Sequence, residues 1–237
     1  MPQNNVWKKL KKSKPFISIL APMEDVTDTV FRQIIQKTAT PDVFYTEFTS
    51  VEGLNSVGRD NVFHRLVFTE QERPLIAQFW GVTPQDYQNA GRIAVEMGFD
   101  GLDINMGCPV KKVIKMGACS ALIQNHAQAK KIVRAARLGL GGKLPLSIKT
   151  RIGFSKIETQ EWIGFVINEL EPDCLVIHAR TVKEESKVPN HFEQFKVIKE
   201  ILNQKNKALE IKLTEKWQNL PKSQKILEIL KLIDKKN

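Results

Sequence analysis

The strongest constraint on the fold is a series of six short apolar runs, each of which ends at polar or reactive residues. Between the runs lie longer segments in which apolar residues recur with the spacing of an amphipathic helix. Strands that alternate with helices in this way predict βαβ units and a parallel sheet. The six runs cover residues 16–20, 43–48, 75–79, 101–105, 146–151 and 174–178.

Three of the intervening helices have recognisable ends. The first is expected to follow Thr83 as its N-cap, with a proline in the first turn, and to stop at Gly98. The second is expected to run from Asn125 to Gly139, because asparagine favours a helix start and glycine a helix end. The third begins near Thr159. Its buried face is predicted to contain Trp162, Phe165 and Val166.

The positions of the polar residues choose between two parallel-sheet folds. Periodicity alone is compatible with a (β/α)₈ barrel and with a doubly wound open sheet. A barrel is favoured, because the C-terminal ends of all its strands meet at one mouth, which forms the active site. The polar residues at or just after the strand ends are Met23, Glu24, Asp25, Glu47, Gln78, Asn105, Lys149, Arg151, His178 and Arg180.

The C-terminal part differs in composition, since residues 181–237 contain neither glycine nor arginine. We expect a helix over 192–202, a weak seventh strand over 208–213 and an amphipathic helix over 223–234, and no eighth strand is visible. The predicted fold is therefore of the (β/α)₈ TIM-barrel type but incomplete, with six clear strands. The predicted divisions are a basic N-terminal segment, a partial barrel domain and a lysine-rich tail, at residues 1–14, 15–203 and 204–237.

Composition limits the function classes. The formal net charge of +10 favours polyanionic partners such as nucleic acid or membrane phosphates, although a solvated lysine-rich exterior has the same charge. No apolar run reaches the ~18 residues of a membrane span, and we expect no membrane association. Three cysteines make no disulfide framework, which indicates a reducing, cytoplasmic protein.

The turn after the fourth run contains the most reactive side chain. In the sequence from Asn105 to Pro109, glycine permits a tight turn and proline stiffens its exit, so that the Cys108 thiol is held at the barrel mouth. A free thiol has a pKa near ~8.5 and is mostly protonated at neutral pH, which suits a proton donor to a carbon centre. The alternative is a small buried apolar residue, the usual role of a free cysteine. The Gly-Cys-Pro context favours function.

The other cysteines and the histidines give no metal site. Cys119 and Cys174 lie in apolar stretches and are expected in the core, and no pair of cysteines or histidines has zinc-ligand spacing. We therefore predict no metal. His178 ends the sixth run beside Arg180, and it is either a site residue or a strand-end histidine that hydrogen-bonds to backbone.

Two further side chains are candidate ligands for an anionic or heterocyclic molecule. Lys149 is expected to point into the mouth from the fifth run, where a buried ammonium needs an anionic partner such as a flavin or a phosphate. Gln78 ends the third run, and its amide offers a donor and an acceptor to the edge of a planar heterocycle.

Taken together, these residues resemble the motifs of the tRNA-dihydrouridine synthases, which reduce uridine in tRNA. The resemblance covers roughly residues 15–200. Five motifs match in order and at family spacing, and the Asn-x-Gly-Cys-Pro loop separates this family from other FMN barrels. The matching segments are residues 21–28, 76–81, 103–109 with 111–113 and 117–122, 147–153 and 177–181.

The resemblance implies a cofactor, a reductant and a substrate. NADPH reduces bound FMN, and a uridine is flipped out of the tRNA into the mouth. The flavin gives hydride to one carbon of the uracil double bond, and Cys108 protonates the other. The residues implied to line or contact the flavin are Pro22, Met23, Glu24, Gln78, Lys149 and His178. Those implied to hold the uracil or a nearby phosphate are Asn105 and Arg180.

The sequence also departs from the family pattern. Family members carry an Asn-Gly-Asp motif after strand seven and a Gly-Arg motif after strand eight, and neither motif is present here. Those loops grip the FMN phosphate. Three interpretations stay open: a working synthase whose barrel edge is covered by oligomerisation or by the tail, a truncated inactive remnant, and a non-catalytic basic RNA-binding protein.

Overall fold

A computed structural model of the protein describes residues 5–205. Its strands form one sheet. They are β1 (Ile19–Leu20), β2 (Val43–Tyr45), β3 (Thr49–Ser50), β4 (Leu75–Trp80), β5 (Gly101–Met106), β6 (Leu146–Arg151) and β7 (Cys174–His178). The predicted strand at 208–213 and the predicted helix at 223–234 lie outside the described residues.

The strand order decides the fold class. Six strands follow one another across the sheet in the order β1-β2-β4-β5-β6-β7, and every neighbouring pair is parallel. A doubly wound sheet reverses its order at a switch point, and the described strands show no reversal. The curled, sequentially ordered sheet is a partial (β/α)₈ barrel, which confirms the predicted fold class.

Helices pack around the sheet. They are α1 (Val6–Ser13), α2 (Thr29–Ala39), α3 (Val51–Leu54), α4 (Asp60–Phe63), α5 (Pro84–Glu96), α6 (Lys111–Lys115), α7 (His126–Leu140) and α8 (Gln194–Gln204). Between β6 and β7 the chain forms two π-helical turns, Thr159–Ile163 and Val166–Leu170, where Trp162 and Val166 are buried as predicted and Phe165 is half-buried. None of the helices within residues 5–205 has the length and apolar character that a membrane crossing needs.

The two faces of the sheet differ in chemistry, because successive side chains of a strand point to opposite faces. On the convex face, residues such as Leu102, Ile104 and Ile148 belong to the main apolar core beneath the helices. The concave face carries polar side chains in rows that the strand register sets. One row contains Gln78, Asp103, Ser147 and Cys174, the next Asn105, Lys149 and Val176, and the last Arg151 and His178.

The second predicted strand is interrupted, so the expectation of one run over 43–48 is wrong. Pairing stops after Tyr45 and resumes at Thr49, where β3 pairs with the end of β4. In the gap, the Thr46 hydroxyl accepts a hydrogen bond from the Gln78 N–H at 3.0 Å and donates to the Glu47 carbonyl at 2.8 Å. The break turns the Glu47 side chain toward the loop after β1.

Gly139 has a different role from the predicted helix stop. Helix α7 passes through it and ends at Gly141, whose φ of 55° is the left-handed conformation that glycine favours at a C-cap. A Cβ atom on Gly139 would lie 2.0 Å from the Gln88 carbonyl oxygen on α5. Gly139 therefore permits close packing of α7 on α5. The start of α7 is confirmed, since Asn125 caps it by accepting the Gln128 N–H at 3.1 Å.

Helix α1 packs against the lower part of the concave face. Val6 and Trp7 are 8% and 4% exposed, and they share a small apolar cluster with residues of β2, β4 and β7. The Asn5 side-chain amide donates to a carboxylate oxygen of Asp173 at 3.0 Å, which ties the start of the helix to the start of β7. The basic N-terminal segment therefore contributes an apolar face to the barrel interior.

Replacing Trp7 with alanine is expected to destabilise the protein. Truncating a buried tryptophan removes apolar contacts and leaves a cavity, which costs roughly 3–5 kcal/mol. The free energy of unfolding from a denaturant titration measures the loss. The matched control is Lys12→Ala on the same helix, an exposed position where little change is expected. Equal stabilities of the two variants would contradict the packing of α1 on the sheet.

Candidate active site

The turn after β5 is shaped by the side chain of Asn105. Its amide oxygen accepts the backbone N–H groups of Gly107 and Cys108, both at 3.0 Å, and its amide nitrogen donates to Gln78 at 3.1 Å. Asn105 is only 7% exposed. The uracil-binding role that the sequence predicts for it stays a prediction, and its contacts here hold the turn that carries Cys108.

Arg151 fastens the same turn from the neighbouring strand. Its Nε donates to the Gly107 carbonyl at 2.9 Å, and Nη1 donates to the carbonyls of Thr181 and Glu185 at 3.0 and 2.8 Å. A buried guanidinium thus joins the loops after β5 and β7. Thr150, next to it on β6, closely approaches Gly107, where an added Cβ would lie 3.2 Å from the threonine Cα.

A buried polar network lies one row below the turn. Asp103 accepts hydrogen bonds from the Gln78 amide at 2.7 Å and from the Ser147 hydroxyl at 2.6 Å. Burial raises the pKa of Asp103 to about 7, although both hydrogen bonds and the nearby Lys149 oppose the rise. Gln78 already has a protein partner for its amide oxygen and for its amide nitrogen. A bound heterocycle would therefore hydrogen-bond to the remaining N–H or the remaining lone pair of the Gln78 amide.

Lys149 extends from β6 to the mouth of the barrel. Its ammonium group makes no ion pair or hydrogen bond with any of the residues 5–205. Burial lowers the pKa of Lys149, and the positive charge of Arg151 lowers it further, while Asp103 and Cys108 oppose the shift. The predicted anionic partner of this ammonium is thus not supplied by the described part of the chain.

His178 and Arg180 contact each other at the end of β7. The Arg180 Nη1 and the His178 Nε2 lie 3.0 Å apart. Because a guanidinium can only donate, Nε2 must be the acceptor, and a neutral ring then carries its proton on Nδ1. The pKa of His178 is lowered to about 3 by burial and by the charges of Arg151, Lys149 and Arg180, so the ring is neutral at physiological pH.

The mouth is therefore a cluster of cations. Lys149, Arg151 and Arg180 surround one neutral histidine, and the pKa of Arg151 is lowered by burial and by Arg180. Like charges held together in a partly buried site raise the energy of the empty site, and an anion placed among them lowers it. The arrangement is suited to a negatively charged ligand.

Cys108 lies at the rim of this cluster, half-buried. The pKa of Cys108 is lowered to about 6, chiefly by a hydrogen bond from the Cys119 thiol. Burial opposes the shift, whereas the Val110 N–H and the charges of Arg151 and Lys149 support it. The sequence-based expectation of a mostly protonated thiol with a pKa near ~8.5 is therefore wrong for the ligand-free site. The lowered pKa makes Cys108 a stronger acid.

The loop after β1 supplies the opposite wall. Glu24 forms a two-pronged ion pair with Arg65 at 3.0 and 2.8 Å through one carboxylate oxygen, and its other oxygen is buried without a hydrogen-bond partner among the described residues. Burial raises the pKa of Glu24. The Asp25 N–H donates to Glu47 at 2.8 Å, which fixes the loop to the end of β2.

The structure places the predicted residues at one edge of the sheet, and their ligand contacts stay predictions. Gln78, Asn105, Lys149 and His178 lie on the concave face, as the register shows. Pro22 and Met23 belong to the loop after β1, with Met23 42% exposed. The sequence analysis gave no role to Asp103 and Arg65, placed Cys119 in the core, and named Arg151 only as a polar residue at a strand end. Asp103 could have been found, because it is two positions from Asn105 on the same strand face.

No group of three or more metal-ligating side chains occurs within residues 5–205. The His126 and His191 rings make other contacts. His126 stacks on Phe165 with ring centroids 4.2 Å apart, and His191 hydrogen-bonds to Glu184 at 2.9 Å.

Comparison with known proteins identifies the family. The family model described as "Dihydrouridine synthase (Dus)" matches residues 19–212, which is most of the chain. The chain belongs to the dihydrouridine synthase family. A Bacillus subtilis (strain 168) protein named "Probable tRNA-dihydrouridine synthase 2" is 43% identical over 199 residues, covering 83% of this chain and 59% of that protein. A Staphylococcus aureus (strain COL) protein named "Probable tRNA-dihydrouridine synthase" is 43% identical over 202 residues, with 84% and 59% covered.

The chain thus spans about three fifths of the length of these relatives. A solved structure of similar fold is that of histamine dehydrogenase from Rhizobium sp. 4-9, with a TM-score of 0.56 at 12% identity. The alignment covers 78% of this dihydrouridine synthase family member and 38% of that chain, and it shows a shared fold.

Proposed function

We propose that this chain carries the flavin-binding and catalytic part of a tRNA-dihydrouridine synthase, which uses FMN and NADPH to reduce uridine in tRNA. Family membership and the names of the relatives support the reaction class. The observation that carries the proposal for this chain is the cationic mouth beside Cys108, formed by Lys149, Arg151 and Arg180.

The residues of the mouth fit an FMN molecule. Lys149 presents an ammonium without a partner to a site that favours an anion. His178 carries an N–H on Nδ1 and can donate to a carbonyl of a planar ring. Glu24 has a buried oxygen without a donor, which a ribityl hydroxyl of the cofactor would supply. When bound and reduced by NADPH, the flavin supplies a hydride.

Cys108 and the remaining cations act on the substrate. A uridine must leave the base stack of the tRNA to reach the mouth, and the positive charges attract its phosphates. Cys108 then gives its proton to a carbon of the uracil double bond: the S–H bond breaks, a C–H bond forms, and the sulfur remains as a thiolate. Arg180 and the free N–H of Asn105 are the donors proposed to orient the base.

Flavin binding tests the proposal through Lys149. Titrating the purified protein with FMN and following the quenching of flavin fluorescence is expected to show one site per chain. Lys149→Met is expected to weaken binding by roughly 10- to 100-fold, because a hydrogen bond to a charged group contributes about 1.5–3 kcal/mol. A chain that takes up no FMN would contradict the cofactor assignment.

The matched control is Lys143→Met. Lys143 is exposed and precedes the other end of the same strand, far from the mouth. Its replacement is expected to leave FMN affinity at the parent value. Equal weakening by both variants would mean that FMN is held by general surface charge, and the site assignment would then be wrong.

A further inference from the structure

Cys119 lies against Cys108 although ten residues lie between them in sequence. The two side chains meet in a small apolar cluster with Val113 and Ala118, where Cys119 is fully buried and Cys108 is half-buried. The two thiols are close enough in this cluster to influence each other's pKa. The next residue, Ser120, donates its hydroxyl to the Cys108 carbonyl at 2.7 Å, so the segment is fixed to the catalytic turn at two points.

The backbone conformation at Cys119 is unusual for a residue with a side chain. Its φ of 52° lies in the left-handed region, which favours glycine and is unfavourable for cysteine. Glycine would relieve the backbone there, and alanine would fill part of the same apolar cluster. Neither the backbone conformation nor the packing therefore requires a thiol at position 119. The contact with Cys108 is the feature that explains one.

We propose that Cys119 is a positioning residue, whose buried thiol donates a hydrogen bond to the Cys108 sulfur and fixes its direction toward the mouth. The inference rests on the proposed function, since it assigns Cys108 the role of proton donor. The donor direction follows from the environment: Cys119 is fully buried and keeps its proton, whereas the half-buried Cys108 faces Lys149 and Arg151.

The hydrogen bond has a definite electrostatic effect. It stabilises the thiolate of Cys108, and together with the Val110 N–H, Arg151 and Lys149 it lowers the Cys108 pKa to about 6. Burial and the Cys108 sulfur in turn raise the pKa of Cys119 well above its ordinary value. A general acid acts best when its pKa lies near the working pH, because it is then partly protonated and also a ready donor.

The test is the pH dependence of Cys108 alkylation by iodoacetamide, followed by mass spectrometry of the peptide that contains Cys108. It uses the whole chain without flavin or tRNA. In Cys119→Ala the pKa of Cys108 is expected to move toward the ordinary value near 8.5, so that alkylation at about pH 7 slows roughly tenfold. Cys119→Ser keeps a donor and is expected to retain a lower pKa than Cys119→Ala.

Two further variants keep the test decisive. Cys119→Gly suits the left-handed backbone and is expected to shift the pKa as alanine does, which answers the question if the alanine variant fails to fold. Cys174→Ala removes a buried thiol from β7 and is expected to leave the Cys108 pKa unchanged. An unchanged pKa in Cys119→Ala, a serine variant that shifts as far as alanine, or an equal shift in Cys174→Ala would overturn the proposal.

An activity measurement separates this inference from the proposed function. If the chain reduces tRNA uridine, the pH profile of the reaction in Cys119→Ala is expected to move to higher pH in parallel with the alkylation pKa. If the alkylation pKa shifts as expected but no uridine is reduced by the parent chain, the thiol contact stands and the proposed function fails.

Discussion

Replacing Cys108 with alanine is expected to slow the reduction of tRNA uridine by about 10²- to 10⁴-fold, the usual contribution of a positioned general acid. The variant removes the only proton donor proposed at the turn between β5 and α6. FMN binding is expected to stay near the parent value, because the proposed flavin contacts come from other residues. The rate of dihydrouridine formation per bound flavin is the measurement.

Cys108→Ser supplies the matched control for shape. A serine hydroxyl occupies nearly the same space but is a far weaker acid than a thiol, so its rate is expected to resemble that of the alanine variant. A serine variant with the parent rate would show that Cys108 has only a packing role. If both variants formed dihydrouridine at the parent rate, Cys108 would have no part in the reaction.

The pH dependence of the parent reaction has a predictable sign. Cys108 donates only in its protonated form, which predominates below the pKa of about 6 and decreases as the pH rises through that value. The rate is therefore expected to fall toward alkaline pH. An anion bound beside Lys149 and Arg151 weakens their effect on the pKa of Cys108. The rate of the FMN-bound protein is therefore expected to fall at a higher pH than the pKa of Cys108 in the protein without FMN.

The second large effect is expected at Glu72, far from the mouth. Glu72 and Arg32 form a fully buried ion pair with 2.6 Å between the carboxylate and guanidinium atoms. Arg32 also donates to the carbonyls of Thr27 and Val67, and Glu72 accepts from Thr29 and Thr69. Glu72→Gln leaves a buried cation without its counter-charge, and such a loss costs about 3–5 kcal/mol of unfolding free energy.

The control for Glu72 lies two residues earlier. Glu70→Gln removes an exposed carboxylate whose ion pair with Arg73 is open to solvent, so the stability is expected to stay close to the parent value. The double variant Arg32→Met with Glu72→Gln is expected to lose less than the sum of the two single variants, because the partners are coupled. Denaturant titration gives the free energy of unfolding of each variant. Equal losses of stability in Glu70→Gln and Glu72→Gln would show that the buried ion pair has no special importance.

Helix caps and apolar runs could be predicted from the sequence, because each depends on residues that are close together in the chain. The start of α7 at Asn125 is confirmed by a capping hydrogen bond, and a strand occurs within each of the six apolar runs. The placement of Gln78, Lys149 and His178 at one edge also follows from the sequence, since parallel strands in sequential order bring their C-terminal ends together.

Contacts between distant segments could not be predicted in this way. Arg32 and Glu72 are charged residues that a sequence assigns to the surface, and only the packing of α2 on the turn before β4 buries them together. The role of Gly139 depends on the approach of α5, and the left-handed conformation of Cys119 depends on the fold of the whole turn. The lowered pKa of Cys108 arises in part from Cys119, Arg151 and Lys149, which lie elsewhere in the sequence. The pKa of an isolated thiol therefore did not predict it.

The proposed function requires that the mouth of this chain reduces uridine in tRNA. The most direct measurement is nucleoside mass spectrometry of unmodified tRNA after incubation with the FMN-loaded protein and NADPH. We expect dihydrouridine, which is heavier than uridine by two hydrogen atoms, in amounts that depend on Cys108. Protein that holds FMN and is reduced by NADPH but leaves every uridine unchanged would contradict it.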